Sequence, residues 1–143
     1  MRRALLDVNV LIALLDAAHQ HHRLAWEWLD ANIEFGWASC PLTQNGYLRI
    51  VSQPGYPNPG TVREAALRLA SATGTRYHEF WTDDLSLLDD RHFDADRLLG
   101  PRHLTDHYLL GLAVARQGRL VSFDRGILLA AVRNAQPEHL VLL

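Results

Sequence analysis

Lysine is absent from this chain. All 14 basic residues are arginine, a bias that a GC-rich genome accounts for, and any mechanism requiring a catalytic lysine is excluded with it. Cysteine is nearly absent too. The single Cys40 cannot bridge to anything within the chain, and a reducing cytoplasm is the simplest compartment for it. No apolar run approaches the roughly 20 residues of a membrane span, and the opening MRRALLDVN meets an aspartate too early for a signal peptide. Positive charge is not in excess either: the net charge is −2, so the footprint of a strongly basic nucleic-acid domain is missing and charge alone leaves the partner open. There is no internal repeat and no low-complexity segment.

What is present is ordinary for a globular protein. The 143 residues are 48% hydrophobic and 21% charged, enough for one domain, 1–143, to bury its own core. ALLDV is a short apolar run expected as a buried strand ending near Asp7, with a helix starting near Asn9. HHRLAWEWLDAN places Leu24, Trp28 and Leu29 at helical spacing. FGWAS is a second strand, PLTQNGYLRIVS a helix with Pro41 in its first turn, and QPGYPNPG a loop. TVREAALRLASATG is a helix capped by Thr61, with Glu64 completing a capping box and Gly74 ending it. YHEFW is a third strand, followed by an irregular polar stretch, DDLSLLDDRHFDADRLLGP. LTDHYLLGLAVARQG is a long helix stopped at Gly118, and RLVSF and HLVLL are the last two strands. Alternation of this kind predicts a three-layer α/β/α fold around a parallel sheet of about five strands.

The first core run raises a question of its own. In LLDVNVLIALLD, Asp7 and Asn9 occupy positions where leucine would be expected, and an unpaired buried carboxylate costs several kcal/mol. In an open parallel sheet, ligands bind at the carboxyl ends of the strands near a switch in strand order. Asp7 ends strand one, Asp124 in LVSFDRG lies just past strand four, and Asp106 in HLTDHYLL opens the helix leading into strand four. Each has a local explanation: Asp7 can cap a helix, Asp106 can complement a helix N-terminus, and Asp124 can begin a turn. Together at one edge they would repel. With no lysine, and with arginine poorly suited to a tight carboxylate cluster, the natural counter-charge is Mg²⁺, with Mn²⁺ able to substitute. Such a hard cation activates water for phosphodiester hydrolysis.

Three blocks, DVNVLIALL, SCPLTQNGYLRIVSQPGYP and LTDHYLLGLAVARQGRLVSFDRG, occur in order over nearly the full length. They resemble a PIN-domain ribonuclease, and more closely the VapC toxins of bacterial toxin–antitoxin pairs. The resemblance implies a metal-dependent endoribonuclease, usually dimeric, held inactive by a VapB antitoxin whose C-terminal segment occupies the active site. It assigns Asp7, Asp106 and Asp124 to three positions of a four-acid cluster. The fourth acid is commonly the Glu of a TEN-type motif. Here the motif reads TQN, and Gln44 offers a neutral oxygen that can position a water or a phosphate at the cost of weaker Mg²⁺ affinity.

Around this core stand further candidates. Asn9 caps the first helix or holds Asp7, and Ser122 shares a strand face with Asp124. Arg49 and Arg125 are the basic residues nearest the site in sequence and suited to a phosphate. Tyr47 and Tyr56 stack on bases or pack the core or a dimer contact. His19, His21 and His22 match no standard zinc spacing. His103 and His107, which flank Asp106, are expected at the surface or as caps, with an approach to a phosphate as the alternative. Asp83 and Asp84 are expected in a turn or a cap. Two other classes of function compete with the nuclease. One is a catalytically weakened PIN domain that binds RNA or its antitoxin without efficient cleavage. The other is a phospho-receiver, which the missing lysine all but eliminates.

Overall fold

A computed structural model describes residues 1–143. Five strands, β1 (Ala4–Leu6), β2 (Trp37–Ser39), β3 (His78–Phe80), β4 (Arg119–Ser122) and β5 (Leu140–Leu142), form one sheet in the order β3-β2-β1-β4-β5, every pair parallel. The five helices are α1 (Val8–Leu15), α2 (His22–Asn32), α3 (Pro41–Val51), α4 (Val62–Thr73) and α5 (Leu104–Ala115). The expected three-layer architecture is the observed one.

The two faces of the sheet bury different helices because alternate strand residues point opposite ways. Ala4, Leu6, Trp37 and Val121 join the core formed with α1 to α4, whereas Leu5, Ala38 and Leu120 join the core under α5. On the α5 face the irregular segment after β3 also covers the core. It inserts Phe93, which is buried and stacks on Tyr108, and it pairs with Val132 through one antiparallel bridge. Full burial of Leu5, Leu109, Leu110 and Leu120 means that truncating any one to Ala would cost about 2–5 kcal/mol.

Local chemistry starts and stops the helices much as the sequence suggests. Asp7 caps α1, and Thr61 caps α4 by accepting from the Glu64 N–H at 3.1 Å. The end of α5 differs from expectation. The left-handed residue after it is Gln117, with φ of 56°, and not Gly118. Gly118 is required for space, since a Cβ there would lie 2.6 Å from the Trp81 ring and 2.8 Å from the Arg3 carbonyl.

Candidate active site

The chain leaves β1 for β2 and β3 on one side, then crosses to β4 and β5 on the other, so the order reverses between β1 and β4. Leu6 pairs with Val121, which brings the carboxyl ends of these two strands together at the position where open parallel sheets bind ligands.

Asp7 follows β1 directly and is only 5% exposed. Its Oδ1 accepts the Val8 N–H at 2.7 Å as the α1 cap, and its Oδ2 accepts the Ser122 hydroxyl at 2.6 Å. Ser122, fully buried at the end of β4, ties the strand ends together. Its oxygen also receives the Asp124 N–H at 3.0 Å and the Asn9 amide at 3.4 Å. Asp124 Oδ1 accepts the Gly126 N–H at 2.8 Å in a tight turn. Asp106, in the first turn of α5, arrives over the same face as Leu5, close enough to Asp7 and Asp124 for their charges to act on it. The local explanations hold alongside the convergence: Asp7 gives one oxygen to the Val8 amide and the other to Ser122, while Asp124 gives Oδ1 to the Gly126 amide and turns Oδ2 toward His103.

Electrostatics follow from that crowding. Burial, the neighbouring Asp7 charge and the contact with Asp124 push the Asp106 carboxyl up to about 7. Burial also raises Asp7, against the opposing Ser122 and Val8 hydrogen bonds. Asp124 is also penalised by burial, but the Gly126 N–H, the Asp106 carboxyl and His103 outweigh this and hold it below its ordinary value. No arginine forms an ion pair with any of the three acids. The one basic group present is the His103 ring, with Nδ1 3.1 Å from Asp124 Oδ2 and 3.4 Å from Asp106 Oδ2. A set of hard oxygens, incompletely neutralised, with Asp7 and Asp106 raised above and Asp124 held below the ordinary carboxylate value, is the donor chemistry of a divalent cation site. His103, Asp106 and Asp124 present donors all within 4.8 Å of one another.

The remaining candidates divide. Asn9 is not the cap of α1. It lies inside the helix, with its amide on Ser122 and its oxygen accepting the Phe123 N–H at 3.4 Å. Gln44 stands in the first turns of α3 at the same sheet edge, but its amide donates to Ser39 Oγ at 3.0 Å, and that hydroxyl pairs with His78 Nε2 at 2.8 Å. It makes no hydrogen bond to the three acids. Arg49 is exposed near the far end of α3. Arg125 is exposed beside Asp124, its guanidinium 3.5 Å from the Leu143 carbonyl.

Several secondary readings resolve. Tyr47 is a buried core residue and the Tyr56 hydroxyl bonds Asp16. Asp83 caps a helix other than its own neighbour, accepting the Leu42 N–H of α3 at 3.0 Å. His21 stacks on Phe123 and His22 bonds the Ala13 carbonyl at 2.7 Å, so the three-histidine segment does not converge on one point. His107 is buried and accepts the Leu128 N–H at 3.0 Å. The residue the sequence undervalued is His103. It occupies the α5 N-cap position without capping anything and faces the acids instead. Its spacing of three residues before Asp106 was the only signal.

No family model matches the chain. Ribonuclease VapC44 of Mycobacterium tuberculosis is 55% identical over 141 residues, 99% of each chain. Ribonuclease VapC38 of the same organism is 41% identical over 140 residues, 96% of this chain and 97% of that one. Among solved structures, VapBC2 from Rickettsia felis, bound to a DNA fragment from its promoter, superposes with a TM-score of 0.60 over 98% of this chain and 96% of that one at 12% identity, a likeness of fold. Similarity that runs from end to end at these identities settles kinship, and the chain belongs to the VapC family of PIN-domain ribonucleases.

Proposed function

We propose that this chain is a Mg²⁺-dependent endoribonuclease and the toxin of a VapBC-type pair, hydrolysing RNA phosphodiester bonds in the cytoplasm. The observation that carries the reading is the gathering of Asp106 and Asp124 with His103, donors within 4.8 Å of one another at the sheet's switch point, with the Asp7 charge beside Asp106 and no arginine paired to any of the three acids. Asp7, Asp106 and Asp124 would hold the cation. When bound it supplies Lewis acidity that activates water and offsets charge on the scissile phosphate. Asp7 is fixed by its cap bond and by Ser122. Asp124 is fixed by its turn and by the same serine. Both therefore present a preorganised oxygen with little freedom left to lose. Asp106, whose carboxyl is poised near neutrality, can hold a proton at its oxygen or release it as the site fills. Arg125 and Arg49 would receive flanking phosphates, and the Gln44 oxygen, which no donor within the chain reaches, would orient a water or a phosphate oxygen.

Relatives named as ribonucleases support RNA as substrate, and a fold neighbour captured as a VapBC complex supports a VapB-type antitoxin as partner. Exposed Leu24 and Trp26 on α2 with Val62 and Leu67 on α4 support a homodimer. No helix is long and apolar enough to cross a membrane. The test is cleavage of structured RNA with Mg²⁺, with EDTA and with Mg²⁺ restored. Cleavage abolished by EDTA and recovered with Mg²⁺ is expected. The alternative, a weakened domain that binds RNA or its antitoxin without efficient cleavage, draws on Gln44 being tied to Ser39. It predicts RNA retention in a binding assay with no Mg²⁺-stimulated cutting.

A further inference from the structure

We infer that His103 is itself a ligand of the cation, contributing Nδ1 beside Asp106 and Asp124 and biasing the site toward Mn²⁺ over Mg²⁺. The inference rests on the metal-dependent reading above and adds to it a nitrogen donor. Donors around one small dication lie about 3 Å apart when adjacent and about 4.2 Å apart when opposite, for metal–oxygen distances near 2.1 Å. His103 Nδ1 lies 3.1 Å from Asp124 Oδ2 and 3.4 Å from Asp106 Oδ2, which is the spacing of neighbours in one coordination shell.

Packing fixes which edge of the ring faces inward. The opposite edge, at Nε2, is seated over Gly126, where any Cβ would collide with it. The glycine of the Asp124 turn thus leaves room for an imidazole aimed at the acids. The donor balance fits as well. An imidazole nitrogen adds a ligand to Asp106 and Asp124 without adding to their negative charge. Mg²⁺ has little use for nitrogen, whereas later dications accept imidazole more readily.

A competing role is a plain ion pair, with imidazolium standing where a cation would otherwise sit. The two roles predict opposite effects of removing the ring. The experiment is pulsed electron paramagnetic resonance of Mn²⁺ bound to the full chain, with natural-abundance and ¹⁵N-histidine protein. Mn²⁺ and Mg²⁺ affinities are measured alongside in wild type and His103→Gln. A histidine nitrogen coupling that changes with the isotope and vanishes in His103→Gln is expected. Mn²⁺ affinity should fall about tenfold or more, and Mg²⁺ affinity by less than about threefold. Bound Mn²⁺ without nitrogen coupling, coupling that persists in His103→Gln, or tighter Mn²⁺ binding in that variant would overturn the inference and leave the metal-dependent reading intact. Failure of wild type to bind Mn²⁺ at all would overturn both. The wild-type spectra need no substitution, so a variant that misfolds leaves the test standing.

Discussion

The carboxyl edge of the sheet has two halves that treat polar groups differently. At the β2–β3 half, Gln44, Ser39 and His78 form a chain of neutral hydrogen bonds in which the donor of one group meets the acceptor of the next. Asp83 there answers a helix N–H. At the β1–β4 half, Asp7, Asp106 and Asp124 face one another as like charges, with a single imidazole among them. The first arrangement pairs donors with acceptors and places no like charges in contact, although the Gln44 oxygen and Asp83 Oδ1 find no partner within the chain. The second opposes folding unless protons or a cation enter, and a region that works against its own stability is where function is to be sought.

Exchanging a group in each half tests this contrast most severely. Asp7→Asn keeps a competent helix cap and removes one of the repelling charges. Cleavage should fall about a thousandfold or more, since several kcal/mol of charge stabilisation depend on the cluster. The melting temperature of the metal-free protein at pH 8 should stay level or rise by a few degrees. Ser39→Ala in the other half should do the reverse. It should cost about 1 kcal/mol, a drop of roughly 2–4 °C, with cleavage within about twofold of wild type. Thermal melts beside an RNA cleavage assay decide it. A large loss of stability in Asp7→Asn would make that residue a structural acid.

Acidity gives the second test. A carboxyl whose pKa is raised on folding contributes stability that is fully present below its unfolded value, near 3.8, and is lost as pH rises through its folded value, about 7 for Asp106. The metal-free protein should therefore lose stability across that window, and Asp106→Asn should flatten the slope. Added Mg²⁺ should stabilise more at pH 8 than at pH 5, because the ligands must be deprotonated to bind it. Denaturant titrations at a series of pH values, with and without Mg²⁺, provide the measurement. The β2–β3 half should show the opposite sign, because burial lowers the His78 ring below its ordinary value and stability there rises as pH climbs toward about 6.5.

Much of the β1–β4 half could be read from the sequence, and for a physical reason. Asp7 and Asp124 each follow a short apolar strand within two residues, so strand position alone carries them to the edge. Asp106 became legible only beside them, since its convergence depends on how α5 packs over Leu5 and Leu120. The fold was legible for the same reason: short apolar runs alternating with amphipathic helices leave few arrangements. What escaped were links made across the sheet. Nothing in TQN shows that Gln44 will meet Ser39 and, through it, His78 on the next strand. His103 escaped because its placement depends on the space that Gly126 leaves 23 residues later in the chain. Position 118 reads in sequence as a helix stop, whereas Trp81, far away in sequence, and the Arg3 carbonyl are what require a glycine there.

Gln44 is where the two halves meet, and Gln44→Glu sharpens the boundary between them. A carboxylate there adds the missing charge if its side chain can turn from Ser39 toward the acids, and the Mg²⁺ concentration for half-maximal cleavage should fall about three- to tenfold. An unchanged Mg²⁺ dependence would assign Gln44 to the Ser39–His78 chain alone.

The smallest effects belong to the arginines outside both halves. Arg125 stands beside Asp124 but reaches only the Leu143 carbonyl at 3.5 Å, a contact too weak to hold it, so it is free to meet a phosphate. Arg49 is farther along α3, exposed and without an acidic partner. A positioning contact to phosphate strengthens binding without reading bases. Arg125→Ala should therefore raise KM about two- to fivefold while leaving kcat nearly unchanged, and Arg49→Ala should do less. Losing one phosphate contact should also reduce the salt slope of single-stranded RNA binding by about 0.7. Filter binding from low to moderate salt measures that slope. A slope unchanged in Arg125→Ala would mean that the backbone of the RNA leaves the cluster by another side, and the search for its path would move to the α5 end of the edge, where Arg102 is exposed next to His103.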